Sequence, residues 1–448
     1  MNSIRIKKGY HLNIAGTPQA QIAELPRPAR VAALPERIPF IKPRLLVQEG
    51  DAVAVGSPLF EDKRFPQVKF LSPGGGRVET VDFGPRRTIR AIVIVLDPSE
   101  RRETFEALSA GDLTGMARDR LTALLMARGV WPLLRALPFR DFPAPDAVPP
   151  KIFVSMDAKE PFQPRPEVYL QGGIEAFRFG LQILHRLSEG RVVVTTSPDN
   201  RFVMEQCRGL LSHVIEGRYP ADDPGVLLYR TKGAASENRS WYINGQDLLQ
   251  LAHSMGGGIY ATERVVALGG HLAENPMHYR TRLGIPLAHL APKGQNGGAR
   301  QRYLVGGICK GYSSDADGYL GLLETALILI PEGREREPLA FVRPGFTKPS
   351  YSRAFLSFFN RAELAVDCNR HGGLRACIGC GYCVRVCPVD ILPQLAYKSI
   401  LAGEVEEALS HGLLDCVECG LCSYVCPSKI ELFAALKQAK ADYYREQG

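Results

Sequence analysis

From Pro39 to Asp97 apolar and polar residues alternate in short runs broken by turn residues: Leu45–Val47, Glu49–Val53, Gly56–Leu59, Val68–Leu71, Gly74–Val78 and Ile89–Leu96. A period of two over runs this short predicts a small half-barrel of β-hairpins. Upstream, Met1 to about Pro35 is Pro-rich without a sustained period, and is read as an extended, irregular lead. Downstream, the pattern predicts a helical stretch over about Leu113 to Leu137. An α/β alternation follows: Lys151–Ser155 and Arg191–Thr196 are β-rich, and between Gly173 and Ser188 the residues Phe177, Phe179, Leu181, Ile183 and Leu184 crowd at near-helical spacing. Strand, helix, strand implies a parallel, Rossmann-like sheet. From about Gly256 to Pro331 the chain turns β-rich again, with Arg264–Leu268, a Gly269-Gly270 turn, Thr281–Leu290 and Tyr303–Gly307, which suggests a β-grasp-like unit. The last segment, Tyr351 to Gly448, is expected to be helical apart from two cysteine-bearing loops, with Glu404–Leu414 bridging them and Glu431–Tyr444 closing the chain. The fold class is multidomain, α+β and α/β, with units at 1–100, 101–255, 256–335 and 336–448.

Composition narrows the class. At 448 residues, 45% hydrophobic and 23% charged, this is globular material long enough for roughly three domains. The longest apolar runs, Ala91–Leu96 and Ala326–Ile330, fall far short of the ~20 residues of a membrane span, so any membrane contact is expected through partner subunits. The net charge of +8 is spread along the chain. It suits docking at an acidic or cytoplasmic membrane face and gives no basic stripe with interleaved aromatics for nucleic acid.

The chemistry lies near the end. Cys377-x2-Cys380-x2-Cys383-x3-Cys387-Pro388 is answered by Cys416-x2-Cys419-x2-Cys422-x3-Cys426-Pro427. This run holds a [4Fe–4S] cluster, and in two-cluster ferredoxins the fourth Cys of each run ligates the other cluster. The expected ligand sets are therefore Cys377, Cys380, Cys383 and Cys426 for one cluster, and Cys416, Cys419, Cys422 and Cys387 for the other. Gly381 and Gly420 let each loop fold back, and the prolines end it. Structural zinc leaves the third and fourth Cys of each run unexplained. Disulfides need an oxidising compartment, and the N-terminal residues show no secretory pattern. Cys207, Cys309 and Cys368 lie outside the runs and are read as small buried hydrophobes.

Two further places are candidates for chemistry. The phrase from Glu49 to Val81 resembles a lipoyl/biotinyl barrel-sandwich domain, and Lys63 stands where the modified lysine would. Arg64-Phe65-Pro66 follows in place of small flanking residues, so Lys63 is expected to be a solvated hairpin lysine and the barrel a docking module. After the predicted strands there is neither a G-x-G-x-x-G run nor a P-loop. The loop at Arg128-Gly129-Val130-Trp131-Pro132 holds one Gly and a bulky Trp, so FMN and NADH are not expected on this chain.

Several phrases together resemble a known family. "IRIKKGYHLNIAGTP", "LFEDK…VKFLSP", "MDAKEPFQPRPEVYL", "ERVVALGG" and "LLETALILIPEGREREPLAF" are similar to the A subunits of sodium-translocating NADH:quinone oxidoreductases along nearly the whole chain. "CIGCGYCVRVCPVDILPQLAY" and "DCVECGLCSYVCPSKIEL" resemble the C subunit of Rnf ferredoxin:NAD oxidoreductases. The resemblance implies a barrel-sandwich domain, a flavin-subunit-like α/β domain, a soluble-ligand-binding β-grasp and a helical two-cluster ferredoxin-like tail. The Gly-rich flavin run of the Rnf protein is replaced here by Arg128–Arg135, and Glu160-Pro161 is a remnant of the nucleotide region. Unlike typical A subunits, the tail keeps all eight cysteines. The implied role is peripheral electron transfer at the cytoplasmic face of a prokaryotic inner membrane, with membrane and flavoprotein subunits of one complex as partners and NADH-to-quinone transfer coupled to sodium export. A quinone on this chain is possible on the resemblance, though no residue places it. The alternatives are a component like the Rnf C subunit and a non-catalytic scaffold. Cluster potentials depend on hydrogen bonds and exposure, so spacing says nothing of donor and acceptor order.

Overall fold

The computed structural model describes residues 1–292, 300–333, 342, 344–369 and 372–447. The barrel is built from two small sheets. Arg30–Ala33, Ile89–Leu96, Gly76–Phe83 and Ala52–Val53 form one, and Pro43–Leu45, Pro58–Asp62 and Phe65–Leu71 the other. Val31, Val68, Val78, Ile92 and Ile94 turn inward by alternation to a shared core, which also buries the consecutive Leu59 and Phe60, where the pairing register shifts between Pro58 and Phe60; Phe60 and Phe70 stack at 4.6 Å. Lys63 is exposed at the tip of the hairpin, as expected of a solvated lysine. Its neighbour Arg64 clamps that tip to the next unit by pairing with Asp62 at 2.7 Å and Asp141 at 2.6 Å.

The second unit is a six-stranded sheet in the order Asn2–Ile6, His213–Gly217, Val192–Thr196, Ile152–Ser155, Trp241–Asn244, Arg135–Ala136. All pairs are parallel except the last. The helix Ile174–Leu187 lays Phe177, Leu181, Ile183 and Leu184 on the core. It lies close to Gly245–Gly256 because Gly180 has no side chain: a Cβ there would sit 2.8 Å from Leu248. The sequence differs in two places. Residues 2–6 are an edge strand of this sheet rather than irregular lead. The long helix expected over 113–137 is a shorter helix, Arg118–Ala127, which stops where Gly129 turns to φ +66°.

A second six-stranded sheet, mixed in direction, runs Tyr312–Ser314, Gln301–Val305, Ala326–Pro331, Glu263–Gly269, Met277–Arg282, Gln19–Glu24. The small helix Leu287–Leu290 covers its core of Val266, Ile285, Tyr303 and Leu327. Within the expected run Thr281–Leu290 the strand stops at Arg282 and the rest turns to this helix. Gln19–Glu24 and Arg30–Ala33 again place strands in the supposed lead, each paired with a distant part of the chain. The expected boundary at 335/336 and the end of the "EGREREPLAF" phrase lie outside the described residues.

The tail holds the helices Tyr382–Val386, Pro393–Ala402, Val405–Ser410, Leu421–Tyr424 and Leu432–Gln447. It is not helical from Tyr351: among the described residues before Tyr382 the path is irregular apart from a 3-10 turn at Leu356–Phe359 and a parallel bridge from Leu364 to Ile14. The tail's apolar residues Val389, Ile391, Leu413 and Leu436 share one core with Ile215, Val226 and Leu227 of the parallel-sheet unit, so the two are packed together. No helix among the described residues is long and apolar enough to cross a membrane.

Candidate metal centres

Each cysteine run makes a loop that turns on a left-handed glycine and enters a short helix. Gly381 (φ +69°) precedes Tyr382–Val386 and Gly420 (φ +74°) precedes Leu421–Tyr424, so the third Cys of each run sits in the first turn and the fourth just past or near the helix end. The first run then meets the end of the second. Arg375 N–H donates to the Ser428 carbonyl at 2.9 Å, Ser428 Oγ to the Ala376 carbonyl at 2.8 Å, and the Arg375 guanidinium to the Pro427 carbonyl at 2.9 Å. These bonds set Cys377 beside Cys426, and Cys377, Cys380, Cys383 and Cys426 line one hollow. Cys387 stands instead among Cys416, Cys419 and Cys422, close enough to bear on their ionisation. Among the described residues no three His, Cys, Asp or Glu side chains converge tightly enough for a single metal ion. Four thiols spread around a hollow, from two loops that exchange their fourth members, are the donor set that a four-iron cluster takes. The site fits the group on chemistry and on the crossed arrangement.

The two groups differ in their surroundings. Residues 372–379 are all exposed, Ile378 by 70%, whereas none of 413–420 is exposed and Val417, the counterpart of Ile378, is 4% exposed. The parallel-sheet unit and the closing helix cover the second loop. Tyr219 donates its hydroxyl to the Cys419 carbonyl at 2.8 Å, and Arg140 donates to the Val417 carbonyl at 3.1 Å. Arg140 and Lys310 pair with the two oxygens of buried Asp223 at 2.8 and 2.7 Å and hold that carboxyl far below the usual carboxylate range against its desolvation. From the other side Lys440, 3% exposed, donates to the Cys416 carbonyl at 2.8 Å and pairs with Glu418 at 2.9 Å. Burial pushes the Cys416 thiol up to about 11 and the Cys419 thiol up to about 12, so free thiols here stay protonated, and metal binding must displace those protons.

Cys207 is fully buried in the main core, as expected; Cys309 and Cys368 are only half-buried. Cys309 lies against the second loop, where a Cβ on Gly420 would come within 2.8 Å of its carbonyl oxygen. Glu160 is buried with its Oε1 accepting the backbone N–H groups of Cys309 at 2.7 Å and Lys310 at 3.0 Å, so a side-chain carboxylate fills this backbone anion cradle. The loop at Gly129 is likewise filled: Arg128, 2% exposed, donates to the Met255 carbonyl at 3.0 Å, and Trp131 donates its ring N–H to the Pro143 carbonyl at 2.9 Å. The sequence reading missed Arg140, Tyr219, Asp223, Lys310 and Lys440. No local pattern marks them, and Lys440 sits in a charged helix where a lysine reads as solvated.

Family models match three segments: an NqrA N-terminal barrel-sandwich hybrid domain over residues 4–97, an NqrA second alpha/beta domain over 116–260, and a 4Fe-4S dicluster domain over 376–430. Among similar proteins, the A subunit of the Na(+)-translocating NADH-quinone reductase of Tolumonas auensis is 32% identical over 411 residues, 91% of this chain and 92% of that protein. The protein of the same name from Yersinia pestis is 34% identical with the same coverage. A crystal structure of an NAD+-reducing [NiFe]-hydrogenase aligns over 78% of this chain and 72% of that chain, with a TM-score of 0.39 at 14% identity, too distant to bear on function.

Proposed function

The chain belongs to the family of A subunits of the Na(+)-translocating NADH-quinone reductases, and from that membership we propose that it is the peripheral electron-carrying subunit of such a complex. It holds one [4Fe–4S] cluster on Cys377, Cys380, Cys383 and Cys426 and a second on Cys416, Cys419, Cys422 and Cys387. The observation that carries the reading is the exchange of fourth cysteines, with Cys426 lining the hollow of the first run and Cys387 standing among the thiols of the second. Clusters bound there supply one-electron transfer. This chain's own residues position the loops and keep water from the second. Tyr219, Arg140 and Lys440 tie backbone carbonyls of the second loop from both sides, while Ser428 and Arg375 fasten the first run to Pro427. In the assembled complex, at the cytoplasmic face of the membrane, electrons run from NADH to quinone through flavins of partner subunits, coupled to sodium export.

The test is anaerobic purification of the full chain with metal analysis and electron paramagnetic resonance. About eight irons per chain are expected, from two four-iron groups. Zinc in their place, or about half that iron, would refute the ligand sets. Cys426→Ala is expected to damage the group built on Cys377, Cys380 and Cys383, and selective loss of the other would overturn the crossing. A scaffold with idle clusters is distinguished by complexes in which NADH fails to reduce them and their removal leaves quinone reduction intact.

A further inference from the structure

We propose that the exposed face around Cys377 is the docking site of a soluble electron-carrier protein whose redox centre is ringed by carboxylates. The inference rests on the cluster reading above and adds the partner. The two cysteine loops share one motif, yet they meet solvent very differently: Ile378 is 70% exposed where Val417 is 4%, and Cys377 is the exposed thiol of the eight, the second loop being at most half-exposed. Leu374, 63% exposed, and Ile378 flank Cys377 as a small apolar pair. Around them stand cations held in place. Exposed Arg375 is fixed by the Pro427 carbonyl at 2.9 Å; exposed Arg385 is fixed by the Cys380 carbonyl at 3.1 Å and by the Tyr382 ring at 4.5 Å. Lys398 is exposed on the neighbouring helix, next to Tyr397, which lines the same hollow. Among the described residues neither arginine forms an ion pair, and no Asp or Glu lines the hollow.

Two exposed arginines fixed by backbone carbonyls beside an exposed apolar pair give this face a positive rim. Such a rim raises the encounter rate with a negative surface and sets its orientation. The apolar part is two side chains, too little for a permanent interface within a complex and of the size that transient redox encounters use. A lipid surface fits less well, because membrane anchoring needs a larger apolar face or several more basic residues than this rim presents.

The experiment is calorimetric titration of the anaerobically purified full chain with a plant-type [2Fe–2S] ferredoxin, an acidic carrier, and with cytochrome c, a basic one. Iron is assayed in every sample, and sedimentation with vesicles containing anionic lipid runs in parallel. Ferredoxin is expected to bind at low salt and to be released at about 0.3 M salt, where screening acts within a few ångströms; cytochrome c is expected not to bind. Arg385→Gln, which leaves the Arg375 bond to the Pro427 carbonyl in place, should weaken ferredoxin binding by about tenfold, at the low end of the ~10–10³ range of electrostatic steering, with iron retained. Lys398→Glu, on the helix Pro393–Ala402 beside the hollow and in neither cysteine run, should weaken it with iron retained. Ferredoxin binding unmoved by these changes, equal binding of cytochrome c, absence of binding by an iron-loaded chain, or sedimentation with vesicles in place of ferredoxin binding would each overturn the proposal. An iron-free chain that still binds ferredoxin through these cations would overturn the cluster reading and leave the docking surface standing.

Discussion

Replacing Lys440 with Met isolates what holds the second cysteine loop from below. The ammonium is 3% exposed and makes two contacts, one with the Cys416 carbonyl at 2.8 Å and one with Glu418 at 2.9 Å, whose side chain is 16% exposed. Methionine keeps most of the stem's volume, so the loss is electrostatic. Removing one partner of a buried pair costs about 3–5 kcal/mol because the other charge is left uncompensated. Glu418 keeps some access to water and a second cation in Arg140, which places the expected cost near the low end, at about 3 kcal/mol. In a chain of several packed units global unfolding is not two-state, so the assay is local. Amide hydrogen exchange in Leu432–Gln447 and in the loop from Cys416 to Gly420 should quicken by roughly 10²-fold, as that free energy requires. The double variant Lys440→Met/Glu418→Gln removes both charges and should recover to within ~1 kcal/mol of the parent. Unchanged exchange in the single variant, or a double variant as labile as the single, would refute the argument that the pair is a compensated buried charge.

Other outcomes follow from the same geometry. Gly420→Ala and Gly381→Ala both force an L side chain into left-handed backbone, at about 1–2 kcal/mol each, but only Gly420 meets an obstacle, the Cys309 carbonyl at 2.8 Å. Iron analysis should therefore show Gly420→Ala losing the second group while Gly381→Ala keeps both, and equal losses would contradict it. Burial lifts the Asp222 carboxyl to about 6, so its stabilising protonated form is fully present below the ordinary aspartate range and lost as pH rises through about 6. Asp222→Asn should accordingly raise local stability over the parent at pH 7.5, by up to ~3 kcal/mol for a shift of about two units, with the gap narrowing towards pH 5, read as amide protection around Asp222 corrected for the intrinsic rate at each pH; lower protection than the parent at pH 7.5 would sink this. Arg264, 2% exposed, pairs with buried Asp247, and Arg264→Leu should cost ~3–5 kcal/mol of local stability, read as faster amide exchange in Glu263–Gly269 and Gly245–Gly256, which Asp247→Asn in the same chain largely restores.

What the sequence determined by itself is the candidate donor set and the elements whose cause is local. Eight thiols at fixed spacing are a donor set whatever surrounds them, because cluster geometry is written in intervals of two and three residues. The strands Ile152–Ser155 and Val192–Thr196 and the helix Ile174–Leu187 announce themselves through periods that a dozen residues suffice to express. The tertiary structure decided what depends on distant partners. Asn2–Ile6 is a strand because His213–Gly217 offers its edge, and Gln19–Glu24, largely exposed and polar, is one because Met277–Arg282 does; neither carries enough inward-facing apolar residues to say so alone. Only packing could say that Lys440 is buried, that Arg140, Asp223 and Lys310 tie the second loop to the parallel-sheet unit, or that of two near-identical loops one is open and the other enclosed. Ile378 and Val417 hold the same place in the same motif, and burial is a property of what the rest of the chain folds against them.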